Sequence, residues 1–269
     1  MERCSVTYQQ SEFSFLKIGR GEKFLVCLHG FGESACSFSF LTNYLPDEFT
    51  VIAPELPWHG ETNFRQADFS VQDLAAVLEL MIPSFKQQSI YLLGYSMGAR
   101  IALSLIEYMS EKISKVVLLA PDGLKMNGWY WLATQTTAGN KLFRYTMQHP
   151  QWFAAIVNLL NKLNFVNKGV AKYVHKYIDD AQVRNNLYHI WTTMRKFRPN
   201  IKQVQQQVAF NQIPVHLVFG KYDRIIPYST GYKLHKGCES WMTMHEVQGG
   251  HLLLKEKHAA FIISLLGNE

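Results

Sequence analysis

Three residues of the kinds that carry out acyl transfer stand just beyond strand-like stretches of this sequence. Ser96 lies in Gly94-Tyr95-Ser96-Met97-Gly98, Asp223 in Phe219-Gly220-Lys221-Tyr222-Asp223, and His251 directly after Gly249-Gly250. A hydroxyl is a poor nucleophile until a base takes its proton, and the base needs an acid to hold its ring in the useful orientation. Ser96, His251 and Asp223 could fill those three parts. A fourth part is offered by His29-Gly30-Phe31-Gly32, a flexible stretch after another apolar run, able to aim backbone N–H groups at a developing oxyanion. Phe31 and Met97 are the N–H donors expected, the latter at the positive end of a following helix.

These residues need a scaffold that brings strand ends together. Residues 23–28, 50–53, 89–93, 116–120 and 215–219 are short apolar runs suited to strands buried on both faces. Helical spacing separates several of them: Val71, Leu74, Val77, Leu78 and Met81 form one stripe, and Ile101, Leu105 and Met109 another. The alternation predicts a mostly parallel sheet covered by helices, preceded by an antiparallel hairpin in the first twenty residues. Ser96 then sits where a strand turns sharply into a helix, with small neighbours that let other backbone pass close.

After residue 123 the strand pattern stops for about eighty positions. Trp152, Ile156, Leu159, Leu160 and Leu163 make one helical stripe, and Tyr173, Val174, Tyr177 and Ile178 a second. Residues 124–205 hold twelve Lys and Arg against Asp179 and Asp180, a net +10 that leaves −4 for the rest. An abrupt shift of this kind marks a segment with its own role. The expected organisation is therefore a core from 1–123 and 208–269, with a helical lid at 124–207.

Composition excludes other classes. The chain of 269 residues, 48% hydrophobic, can bury a full core. The start MERCSVTYQQ lacks the apolar segment of a secretory signal, and no apolar run approaches the roughly 18 residues that cross a bilayer, so a cytoplasmic protein with no transmembrane segment is expected. Cys4, Cys27, Cys36 and Cys238 show no metal-like spacing and read as reduced structural thiols. The histidines form no convincing metal site, and the glycine-rich stretches match neither a dinucleotide nor a phosphate loop, so neither metal nor cofactor is expected. No nucleic-acid module accompanies the basic charge.

HGFG, GYSMG, GKYDRIIP and GGH, in this order and spacing, make the chain similar to the α/β-hydrolase superfamily, and within it to the cap-bearing esterases and carbon–carbon hydrolases. The resemblance covers about residues 20–123 and 208–265. It implies Ser96 as nucleophile, His251 as general base and then acid, and Asp223 as the group orienting His251. The order Ser, Asp, His is that of this fold. Some members place the acid after the sixth strand, which makes Asp122 of LAPDG the alternative. The family's Asp-x-Pro-Gly-x-Gly loop reads Glu55-Leu56-Pro57-Trp58-His59-Gly60 here, and the departure at Trp58 implies a narrower pocket edge. Gly30, Tyr95, Trp58 and Arg100 are the expected substrate contacts. His29 and His59 read as residues that hold their loops.

The expected activity is hydrolysis of a carboxylic ester or thioester through an acyl-enzyme on Ser96. Two alternatives remain open. GYSMGAR resembles the elbow of 2-succinyl-6-hydroxy-2,4-cyclohexadiene-1-carboxylate synthase, in which an arginine at the place of Arg100 helps to hold a polyanionic substrate, implying a lyase on an anionic substrate. The other is a non-catalytic ligand-binding protein of the same fold. The lid's aromatics are expected to pack its helices, with some forming an acyl pocket. Its basic residues read as a solvated face, or as contacts to an anionic substrate or acidic lipid. The pattern specifies no oligomeric state.

Overall fold

The computed structural model describes residues 1–83, 85–125, 128–163 and 178–267. Among them eight strands form one sheet in the order β1-β2-β4-β3-β5-β6-β7-β8. They are β1 (Glu2–Tyr8), β2 (Ser11–Gly19), β3 (Lys23–Leu28), β4 (Phe49–Pro54), β5 (Ile90–Tyr95), β6 (Ile113–Leu119), β7 (Val215–Gly220) and β8 (Met242–Val247). The first two form the antiparallel hairpin that the sequence suggests, and β2 runs antiparallel to β4. All later pairings, from β4/β3 to β7/β8, are parallel. Strands β3 to β6 are almost wholly buried because helices cover both sheet faces, which explains their continuous rather than alternating apolar runs.

The chain separates into two compact units, Met1–Lys125 with Lys196–Glu269, and Met126–Arg195. In the first, α1 (Val71–Met81) starts at a capping box in which Ser70 and Asp73 satisfy each other's backbone N–H groups, and it buries Leu74, Val77, Leu78 and Met81. Helix α2 (Met97–Met109) follows β5 and is buried along most of its length.

The second unit contains α3 (Gly128–Gln135), α4 (Thr137–Gln148), α5 (Gln151–Lys162) and α6 (Ala181–Thr193). Thr136 and Asp180 cap α4 and α6 by accepting main-chain N–H bonds. Its interior is aromatic: the Phe143 ring lies 5.4 Å from both Tyr188 and Trp191, and Tyr130 lies 5.1 Å from Trp191. Phe143, Tyr130 and Trp191 are thus packing residues of this unit. Tyr173, Val174 and Tyr177 of the expected second stripe lie outside the described residues.

The expected lid boundary at 207 differs from the structure. Residues 196–207 belong to the first unit, because α7 (Ile201–Phe210) buries Val204 and Val208 there. Gln207 accepts from the Ser110 hydroxyl at 2.8 Å, tying α7 to the end of α2. The first unit ends with the short α8 (Tyr232–His235) and α9 (Ala259–Gly267).

Candidate active site

Ser96 occupies a backbone conformation that an L-residue adopts at a cost, φ 51° and ψ −112°. Such positions cost on the order of 1–3 kcal/mol and persist only where the surroundings over-determine them. Here main-chain bonds do so. Ser96 N–H donates to Leu119 O at 2.9 Å, and Ser96 O accepts from the N–H groups of Ala99, Arg100 and Asp122 at 3.0–3.3 Å. The flanking glycines are required by contact: a Cβ on Gly98 would lie 1.9 Å from Leu28 O, and one on Gly94 2.6 Å from Ala99 Cα.

The loops after β7 and β8 are laced together, and this brings acid to histidine. Lys221 N–H donates to Val247 O and Tyr222 N–H to Gly249 O, while a Cβ on Gly220 would lie 2.2 Å from Gly250 O. Asp223 is thereby buried, its Oδ1 accepting from Ile225 and Ile226 N–H at 2.8 and 2.9 Å and its Oδ2 lying 2.8 Å from His251 Nδ1. A carboxylate can only accept, so we assign the proton to Nδ1. The lone pair of Nε2 then faces Ser96 Oγ at 3.1 Å. The structure therefore joins Ser96, His251 and Asp223 in one hydrogen-bonded chain.

Asp122, the alternative acid, is engaged elsewhere. Its Oδ2 lies 3.4 Å from Arg100 Nη1, and its Oδ1 accepts from Gly123 N–H. Gly123, at φ +89°, leaves room for the Arg100 stem, whose Cγ a Cβ there would approach to 2.7 Å. Arg100, an expected substrate contact, is buried beside Asp122. Tyr95, another expected contact, is also internally engaged. It is buried under Gly30, and its hydroxyl donates to the His251 carbonyl at 3.3 Å, so it supports the histidine loop. Burial and the charges of Glu33 and Asp223 raise its pKa, keeping the phenol a donor.

The loop that carries Phe31 is held by two buried histidines. His29 Nδ1 donates to Gly30 O at 2.9 Å and Nε2 accepts from Leu56 N–H at 3.1 Å, which requires a neutral ring. Burial, with the neighbouring His59, lowers its pKa to about 3. His59 repeats the arrangement: Nδ1 donates to Pro57 O, and Nε2 accepts from Gly32 N–H at 3.4 Å. Burial lowers its pKa as well. Glu55 accepts from Ala35 N–H at 2.9 Å, and its carboxylate fills the space where a Cβ on Gly60 would sit. Arg3, from the leading hairpin, reaches Glu55 at 3.8 Å and Glu61 at 2.9 Å. Burial raises the Glu55 pKa against these two favourable contacts.

Phe31 follows His29-Gly30 on this loop, and Met97 is the first residue of α2, whose leading N–H groups have no acceptor within the helix. Trp58 is half-buried at φ +66°, with its ring edge-on to Phe64 at 5.8 Å. The Gly32–His59, Ala35–Glu55 and Arg3–Glu55 contacts have no motif in the sequence. A buried acid and two buried histidines among apolar residues are their only trace. Among the described residues, no group of three or more His, Cys, Asp or Glu is placed to hold a metal ion, and no helix is long and apolar enough to cross a membrane.

Comparison with known proteins bears on the fold and the family. The chain is 26% identical over 246 residues to the uncharacterized hydrolase YugF of Bacillus subtilis, spanning 88% of this chain and 86% of that protein. It is 36% identical over 111 residues to a putative 2-succinyl-6-hydroxy-2,4-cyclohexadiene-1-carboxylate synthase of the same species, which spans 39% of each. A thermophilic esterase from Thermogutta terrifontis superposes with a TM-score of 0.68 at 17% identity, over 99% of this chain and 97% of that one. The sequence profile described as alpha/beta hydrolase fold matches residues 23–258. With strand order, elbow and profile in agreement, the chain belongs to the α/β hydrolase fold family.

Proposed function

We propose that this protein is a serine hydrolase that cleaves a carboxylic ester or thioester through an acyl-enzyme on Ser96. The observation that carries this reading is the hydrogen-bonded chain from Ser96 Oγ through His251 to Asp223, at 3.1 and 2.8 Å. Ser96 Oγ attacks the carbonyl carbon as its proton passes to His251 Nε2. The oxyanion that forms takes the N–H groups of Phe31 and Met97, a contribution of about 10²–10³ in rate per donor. His251 then gives its proton to the departing alkoxide or thiolate. Water repeats the sequence on the acyl-enzyme, returning the proton to Ser96 Oγ. Asp223 remains a carboxylate throughout and stabilises the imidazolium.

A second reading, a lyase reaction on an anionic substrate, is favoured by the 36% identity over 111 residues to the putative synthase and by the resemblance of GYSMGAR to the elbow of that enzyme. It requires Arg100 to turn its charge from Asp122 to the substrate.

Labelling with a fluorophosphonate probe, followed by peptide mass spectrometry, should find the adduct on Ser96. Graded p-nitrophenyl esters and acyl-coenzyme A thioesters should then be turned over, and Ser96→Ala should lose about 10³–10⁶ in kcat. An unlabelled protein, or a mutant with comparable turnover, would refute the reading.

A further inference from the structure

The second unit, taken by itself, carries more apolar surface than its own packing uses. Helix α5 buries Val157 and half-buries Phe153 and Leu160, while Trp152, Ile156 and Leu159, alongside them, stand exposed. The apolar arc of α5 is thus wider than the part it buries, with Gln151, Asn158, Asn161 and Lys162 on the far side. Exposed side chains on the two preceding helices add to it: Trp129 and Trp131 on α3, Leu142 and Tyr145 on α4, with Trp129 80% and Leu159 56% exposed.

The charge around this surface has one sign. No Asp or Glu occurs between Asp122 and Asp179, a stretch that holds seven Lys and Arg, and Lys141 and Arg144 are exposed on α4 beside Leu142 and Tyr145. Exposed tryptophan, tyrosine, leucine and isoleucine on short helices that carry Lys141, Arg144 and Lys162 and no Asp or Glu match the boundary between phosphate headgroups and acyl chains. Helix α5 has 12 residues, far short of a membrane span, so the contact lies in the plane of the interface.

We propose that the helical unit docks this protein on the surface of an anionic lipid bilayer, with α5 seated at the acyl boundary and the α4 cations on the headgroup phosphates. This goes beyond hydrolysis and does not depend on it.

The test uses the full chain, as wild type and as Ser96→Ala, with sedimented vesicles of phosphatidylcholine alone or in equal parts with phosphatidylglycerol. Both proteins should bind the anionic vesicles and leave the neutral ones largely unoccupied. Brominated acyl chains should quench tryptophan fluorescence. The double variant Lys141→Gln/Arg144→Gln should bind about 30-fold more weakly at low salt, since each basic residue near an anionic surface contributes about a fivefold factor. Ile156→Asn/Leu159→Asn should keep the charge attraction and lose the quenching. The side chains at 141, 144, 156 and 159 are solvent-exposed, and thermal melts matching the wild type show that the fold of these variants is undisturbed. Equal binding to both vesicle types, or binding to neither, overturns the proposal. So does equally strong binding to soluble polyglutamate, or a dimer that Ile156→Asn/Leu159→Asn dissolves without any vesicle binding, since the surface then serves an acidic polymer or a second copy.

Discussion

Replacing Gly98 by alanine would test whether the elbow depends on main-chain contact. The added methyl group would sit 1.9 Å from Leu28 O and 2.4 Å from Leu28 C, both backbone atoms at the end of β3. Real Cβ atoms essentially never approach closer than 3.0 Å, so the start of α2 and the end of β3 must part by about an ångström. Overpacking of this kind costs typically about 1–3 kcal/mol, or roughly 3–10 °C in Tm for a chain of this size. The same displacement separates Met97 N–H from the Phe31 loop. A misplacement of about 1 Å at such a site can cost on the order of 10² in rate. The assay is kcat and KM on a p-nitrophenyl ester beside a thermal scan. The expected result is a fall in kcat of about 10², with the larger share in kcat rather than KM. Gly250→Ala is the control, because a Cβ there meets nothing within 4 Å and it too lies in the site, next to His251. If Gly98→Ala retained kcat within a few-fold and melted with the wild type, the steric account of the elbow would be wrong.

Three further outcomes follow from the site. Asp223→Asn should slow turnover by up to about 10⁴ through the wrong histidine tautomer, whereas Asp122→Asn, which loosens only Arg100, should cost far less; the reverse ranking in kcat/KM would move the acid to Asp122. His59→Phe removes the acceptor for Gly32 N–H, a bond of about 1 kcal/mol or roughly fivefold, and the loss should fall on kcat; an unchanged kcat would show that the loop holds without it. His29 has a folded-state pKa of about 3 against an ordinary 6.5, so between those values the unfolded chain binds a proton that the native protein refuses. Stability should therefore fall as pH is lowered through this window, by up to about 1.4 kcal/mol per pH unit for one such group. His216, lowered to about 4 by burial and by His245 and Lys115, adds in the same direction. His29→Gln should flatten the stability–pH slope by up to one proton, read from denaturant melts between pH 4 and the ordinary value of 6.5; an unaltered slope would mean that the ring is not held neutral.

The parts of the site legible in the sequence are those where chemistry restricts residue type. Nucleophile, base and acid must be Ser, His and Asp or their few equivalents, and each stands just past a strand, so Ser96, Asp223 and His251 could be read directly. The sheet was legible because burial on both faces removes polar residues from β3 to β6. Choosing between Asp122 and Asp223 was harder, since both follow strands. The lacing of Tyr222 to Gly249 decides which of them meets His251. Tyr95 looked like a substrate contact because of its place beside Ser96, and its burial depends on the close approach of Gly30. The lid was drawn to residue 207 because strand-like sequence resumes only at Val215, yet α7 turns its stripe of Ile201, Val204 and Val208 into the first unit. A stripe reports that a helix has a face to bury and is silent on what lies opposite. Arg3, Glu55 and Gly32 were missed because their contacts join residues far apart in sequence, which no periodicity records.

Apart from the hydroxyl's contact with His251, the bonds that hold Ser96 end on its main chain. Leu119 O, the N–H groups of Ala99, Arg100 and Asp122, and the Leu28 carbonyl pressed against Gly98 would be met equally by another short side chain at position 96. The turn is thus a mount, and the group it presents is an interchangeable part. A thiol, a carboxylate or a methyl placed there would be lifted to the same point in front of His251 without the strand or helix having to learn a new path. The cost of the strained backbone is charged to the scaffold alone, so this one turn can stay fixed while the chemistry it carries is replaced.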